Sequence, residues 1–188
     1  MSIFDKLKKS AMDAVKSAAS SIGNKSETFT FAALPESLAE MQALPEASLD
    51  DPYKTAALTV CAICAYAADK TIGLEMLNWL RGPRPLGGGE ISFLNDRFRD
   101  GKTYVPFSYF KGATPENDYT PTVPYTITIE SNPYSDVNEG YKKLFVRSSG
   151  ADAPREIVLR KKADGQWLLW DQIILVGIRE PKSADPWA

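Results

Sequence analysis

Between Tyr53 and Asp69 the chain reads YKTAALTVCAICAYAAD, a run that is apolar on nearly all sides when wound as a helix. Asp50-Asp51 can cap its start, and Pro52 suits a first helical turn. A helix with no polar face has to lie in the middle of a domain, so this segment constrains everything around it. Its longest apolar stretch, Ala56 to Ala68, falls short of the roughly 20 residues that cross a bilayer and carries Thr59 and Tyr66. The expectation is a central core helix rather than a membrane span.

Other helices gather on either side of it. A short one is predicted over 36–43, between Pro35 and Pro45. Another spans about 73–81, with Leu74, Leu77, Trp79 and Leu80 apolar and Gly82-Pro83 as its stop. The loop from Gly82 to Gly89 leads into a further helix ending near Gly101, with Ile91, Leu94 and Phe98 on one face. From Thr103 onward the apolar period changes to two. Tyr125, Ile127 and Ile129 alternate with threonines as in a half-buried strand. Leu144 to Arg147 and Ile157 to Arg160 read as strands, Asp164-Gly165 as a hairpin turn, and Trp167 to Ile178 as a strand pair or one bent strand. Helices followed by strands define an α+β fold with a mainly antiparallel sheet. Residues 26–188 are expected to form one such domain.

Residues 1–25 read differently. Ile3, Leu7, Ala11, Val15, Ala18 and Ile22 form a single apolar stripe, widened by Phe4, and Gly23-Asn24 can end the helix. Lys6, Lys8, Lys9 and Lys16 lie mostly off the stripe. The segment carries +3, so the remainder carries −5. An amphipathic helix of this kind suits an anionic membrane surface or a protein partner, and equally packing on its own domain or a self-associating coil. The contact residues to expect are Ile3, Phe4, Leu7, Lys8, Lys9 and Val15.

The chain of 188 residues contains no histidine. This removes the usual general base and imidazole-dependent zinc sites, and with them serine and cysteine triads of the usual kind. A net charge of −2 argues against nucleic acid as the main partner. Lysines recur where a signal peptide would be apolar, and two cysteines do not make a secreted framework, so a reducing cytoplasm is the natural compartment. No cofactor or metal is called for, and oligomeric state is left open.

Four clusters merit weighing. Cys61 and Cys64 have redox spacing, but their apolar helix favours inert core thiols. Gly87-Gly88-Gly89 precedes a helix near Arg81, Arg84, Arg97 and Arg99, yet lacks the strand and the lysine-hydroxyl pair of a phosphate loop, which favours a linker. Tyr104, Tyr109, Asn117, Asp118, Tyr119, Tyr134 and Tyr141 are residue types that line sugar- or peptide-binding grooves; anchoring long loops to the sheet is the competing role. Glu116, Asp118, Glu130, Asp136 and Glu139 would have to converge in pairs for glycoside-type chemistry, and as separate loop charges they would be solvated. Near the C-terminus, Trp187 is expected to dock on the domain, with an exposed recognition motif as the alternative.

Several phrases form a recognisable set: ESLAEMQALPEASLDDPYKTAALTVCAICAYAADK, NWLRGPRP, DRFRDGKTYVPFSYF, GATPENDYTP, SSGADAPR and PKSADPWA. Together, over about residues 36–188, they resemble an uncharacterised family of Firmicutes proteins described only as a domain of unknown function. That resemblance implies no activity, substrate or catalytic residue. The opening SIFDKLKKSA separately resembles N-termini of unrelated bacterial envelope-stress proteins. The expected function is that of a non-enzymatic cytoplasmic binding or adaptor protein, with residues 1–25 as its contact to the inner membrane face or to a partner. The alternative is a hydrolase or ligand-binding enzyme with carboxylates and tyrosines in a groove formed by loops 104–141.

Overall fold

The computed structural model describes residues 24–187. Ile3, Phe4, Leu7, Lys8, Lys9 and Val15, and with them the amphipathic helix expected over 1–25, lie outside the described residues. The described residues open on strand β1 (Ser26–Phe31) and continue through helices α1 (Leu38–Gln42), α2 (Pro52–Ala68), α3 (Lys70–Arg81) and α4 (Gly88–Arg97). Strands β2 (Tyr125–Glu130), β3 (Tyr141–Val146), β4 (Arg155–Lys161) and β5 (Trp167–Gln172) follow. The five strands form one antiparallel sheet in the order β1-β2-β3-β4-β5. This is the expected α+β architecture, with one strand the periodicity did not announce. β1 precedes all the described helices and pairs with β2 along its whole length, from Ser26 opposite Glu130 to Phe31 opposite Tyr125.

Helix α2 is the core, as its composition demands. Ala56, Ala57, Leu58, Val60, Cys61, Ala62 and Ile63 are wholly buried, and the helix touches all five strands. Its cap and its two threonines are hydrogen-bonded, while the buried Tyr53 hydroxyl has no hydrogen-bond partner among the described residues. The Asp51 carboxylate accepts the Tyr53 amide at 2.8 Å, Thr59 donates to the Thr55 carbonyl at 2.8 Å, and Thr55 donates to the Trp167 carbonyl at 2.7 Å. Asp69 stands between α2 and α3 in extended conformation and caps α3 by accepting from Thr71 and Ile72 at 2.8 and 3.1 Å. The two helices therefore fold back on each other with no intervening loop. Gly73 sits where α3 meets the last turn of α2, against the backbone of Tyr66.

Two expected boundaries move. α4 stops at Arg97, because Asp100 and Gly101 adopt left-handed φ values of 60° and 75°, and the chain then runs as 3-10 turns to Tyr109 instead of extending from Thr103. β5 ends at Gln172: Asp171 accepts from the Gln172 amide and the Gln172 side chain accepts from that of Ile174, which converts the segment after it into a turn. The sheet presents Phe29, Phe31, Ile127, Ile129, Leu144, Val146, Ile157, Leu159 and Leu169 to the helices. The alternate residues point the other way.

Candidate functional site

That other, outer face of the sheet has two halves. On β1 and β2 it is a threonine ladder, with Thr28 hydrogen-bonded to Thr128 at 2.9 Å and Thr30 to Thr126 at 3.4 Å. On β3–β5 it carries aromatic, aliphatic and charged residues: Tyr141, Lys143 and Phe145, Glu156, Val158 and Arg160, Leu168, Trp170 and Asp171. β2 and β3 share only two residue pairs, Ile129 with Val146 and Glu130 with Phe145, so most of β3 runs on beyond β2. The 132–138 loop closes over that offset. It is held there by a Lys142–Asp136 ion pair at 2.8 Å and by the Lys143 amide donating to the Ser135 carbonyl at 2.9 Å. Between loop and strands lies an open groove of about 830 Å³ lined by Tyr134, Tyr141, Phe145, Val158 and Trp170.

At the far edge of this groove the β4–β5 register skips one residue. Val158 faces Asp171 and Leu159 faces Leu169, which leaves Trp170 bulged out of the ladder. A bulge of this kind re-aims a side chain and frees backbone groups. The Trp170 carbonyl is taken up by Arg81, whose buried guanidinium donates to it at 3.1 Å, to the Arg84 carbonyl at 3.0 Å and to Glu90 at 2.8 Å. The indole ring carries the Arg84 guanidinium 4.3 Å from its centroid and that of Arg160 at 5.2 Å, while Tyr141 meets it edge-on at 5.4 Å. Arg160 also lies over Tyr141 and donates to its hydroxyl. Among the described residues no carboxylate pairs with Arg84, Arg160 or Lys161.

The tyrosines named from the sequence divide between two places. Tyr134 and Tyr141 are on the groove, Tyr134 strongly exposed. Tyr109 and Tyr119 are buried, donating their hydroxyls to the carbonyls of Ile174 and Arg179, and Tyr104 stacks on Tyr119 at 5.3 Å. Asn117 knits its own loop, accepting from Thr114 and Thr120 and donating to the Gly112 and Thr120 carbonyls. Asp118 accepts from Ser183. Tyr109, Asp118 and Tyr119 fasten the 99–120 segment to residues 174–183, Tyr104 and Asn117 make their contacts within that segment, and the structure does not bring any of the five to the groove.

The remaining clusters resolve simply. Glu116 pairs with Lys182, Glu130 with Arg147 and Asp136 with Lys142, each acid on its own cation. The amide of Gly87 donates to Glu90, so the glycine turn already holds a carboxylate of the same chain. Arg97 and Arg99 both pair with Asp96. Trp187 is 93 % exposed rather than docked, and its amide donates to Asp185. Among the described residues no group of three or more acids and cysteines is arranged to hold a metal ion. Nor is any described helix long and apolar enough to cross a membrane.

Cys61 and Cys64 are free and buried, and burial pushes both thiols well above their usual range, as it does the Tyr109 hydroxyl. The folded chain keeps these protons, whereas the unfolded chain releases them near pH 8.5 and 10 for cysteine and tyrosine respectively. Their contribution to stability is therefore intact below about pH 8.5 and declines as pH rises, by up to about 1.4 kcal/mol per group per pH unit. The urea midpoint is expected to be clearly lower at pH 10 than at pH 7. An aromatic disulfide reagent should leave both thiols unmodified until urea is added; rapid labelling of the native protein would show that α2 is not closed.

Fold and face together define a small α+β protein with a helix-covered inner sheet surface and an open aromatic–cationic outer one. The chain belongs to the family described as a domain of unknown function, DUF6935, which it matches over residues 33–182. No curated protein and no solved structure was found to match it.

Proposed function

We propose that this is a non-enzymatic binding protein acting in the cytoplasm at the inner face of an anionic membrane. The outer face of its sheet is the body's contact surface, and residues 1–25 supply a second contact of the same charge preference. The observation that carries this reading is the gathering of Arg84, Arg160 and Lys161 around the bulged Trp170 in a chain of net charge −2. Cations left without carboxylates, next to an aromatic surface, suit a partner that brings its own negative charge. Each basic side chain near an anionic surface contributes about 1 kcal/mol, so three amount to a change of about a hundredfold in affinity. The hydrolase alternative needs two converging acids with one held protonated. Here the acids are dispersed onto separate cations, and the hydrogen bond from Lys182 draws the Glu116 carboxyl below its ordinary range.

Co-sedimentation of the full chain with phosphatidylglycerol and phosphatidylcholine vesicles, at low and high salt, tests the reading. Pelleting on phosphatidylglycerol alone, reversed by salt, is the expected result. Failure to pellet at low salt, or equal pelleting on both lipids, would contradict it.

A further inference from the structure

We infer that the cleft beside Trp170 is a binding site for a phosphate monoester, an assignment that deepens the reading of the outer face as an anion-contacting surface. The cleft, of about 130 Å³, is lined by Arg84, Arg160, Lys161, Lys162, Leu168 and Trp170. With Arg81, five cations border one small concavity: Arg81 is paired with Glu90 at 2.8 Å and Lys162 with Asp164 at 2.7 Å, while Arg84, Arg160 and Lys161 have no carboxylate partner among the described residues. Guanidiniums stacked on an aromatic ring can still turn N–H groups to the paired oxygens of a phosphate, although Arg160 gives one of its own to the Tyr141 hydroxyl. A monoester carries close to two charges and three acceptor oxygens at neutral pH, which matches several converging cations better than a single carboxylate does. The floor of the cleft, Leu168 and the Trp170 ring, is apolar and suits the group esterified to that phosphate.

The site is also built from beneath. Arg81 is buried and fixes the backbone of both cleft-forming segments at once through the Arg84 and Trp170 carbonyls. Its own charge is met by Glu90, so the exposed cations remain available. The bulge at Trp170 supplies the outward ring, and the turn after α3 brings Arg84 around the edge of β5 to meet it. Such advance positioning lowers the ordering cost of binding.

The test uses the full chain labelled with 15N-tryptophan, titrated at constant ionic strength with phenyl phosphate and, separately, benzenesulfonate. The indole N–H signal of Trp170 is assigned with Trp170→Phe. A saturable shift with phenyl phosphate is expected, weaker binding of benzenesulfonate, and affinity lower by about tenfold or more in Arg84→Ala/Arg160→Ala at unchanged Tm. A linear, non-saturating response, equal affinity for the sulfonate, or an unaltered titration in the double variant would overturn the assignment. Vesicles of phosphatidic acid and phosphatidylglycerol at matched surface charge then separate the sources. Preference for phosphatidic acid that disappears in the double variant makes the monoester a lipid headgroup; saturable phenyl phosphate binding without that preference makes it a soluble ester. Anionic-vesicle pelleting with no Trp170 response removes this site and leaves the membrane reading standing, whereas the reverse pattern removes the membrane and leaves the site.

Discussion

Replacing Gly73 with alanine is expected to be among the most damaging single-methyl additions to this protein. A Cβ at that position would overlap the Cα and amide nitrogen of Tyr66, atoms of backbone in the last turn of α2. Side chains can swing aside, but here the obstacle is main chain in the central helix, and α3 follows α2 after Asp69 alone. Relief requires the whole α3 helix to shift away from the core that Met76, Leu77 and Leu80 fill. Overpacking against rigid backbone belongs at the upper end of its usual range, about 3 kcal/mol, which for a chain of this size lowers Tm by about 10 °C. Gly89→Ala is the natural comparison. It lies in the first turn of α4 with open space around it, so the added methyl should be neutral or stabilise by up to about 1 kcal/mol. Thermal unfolding of the two variants beside wild type checks both statements. Equal Tm values would mean that α2 and α3 are not packed as described.

Arg81→Met should cost nearly as much, for an electrostatic reason. Methionine fills much of the arginine's buried volume but donates nothing. The carbonyls of Trp170 and Arg84 lose a partner at 3.1 and 3.0 Å, and Glu90 loses the cation at 2.8 Å. Glu90 is 41 % exposed and can return to water, so the loss of the ion pair is screened. The cost therefore falls on the two carbonyls, and it comes to about 2–3 kcal/mol. Denaturant unfolding measures it. The same substitution loosens the Trp170 bulge, so phenyl phosphate binding should fall as well. A variant of unchanged urea midpoint would show that water replaces the guanidinium without loss. Arg84→Ala removes only an exposed side chain and is expected to leave stability within about 0.5 kcal/mol of wild type.

How much of this was legible in the sequence follows from how local each signal is. α2 was legible because its composition leaves it nowhere to go except the centre. β2 was legible because Tyr125, Ile127 and Ile129 alternate cleanly with threonines. β1 was not: the segment SETFTF offers two phenylalanines among polar residues, and its partner Glu130 lies about a hundred residues on from Ser26. Edge strands of this kind are specified by the neighbour they join. The tyrosines were visible as a cluster, but the chain alone could not say that Tyr109 and Tyr119 would spend their hydroxyls on carbonyls while Tyr134 and Tyr141 remained at the surface.

The site around Trp170 was the least accessible. In the sequence Arg81 and Arg84 stand next to the glycine turn, with nothing to place them beside β5. Arg160 and Trp170 each occupy an outward position on a strand, a weak hint that gains meaning only when register places them together. The bulge that turns Trp170 outward is a single skipped pairing and leaves no periodic trace. A large aromatic on the water-facing side of an alternating strand was the one signal available for it.

On the proposed reading, this protein meets an anionic partner through the cations around Trp170. Vesicle affinity of the full chain, compared with that of Arg84→Glu/Arg160→Glu on phosphatidylglycerol at low salt, tests it most directly. The account predicts weakening by about a hundredfold, with a shallower dependence on salt and an unchanged Tm, because both side chains are exposed. Affinity and salt dependence identical to wild type would contradict it and place whatever binding exists elsewhere on the chain.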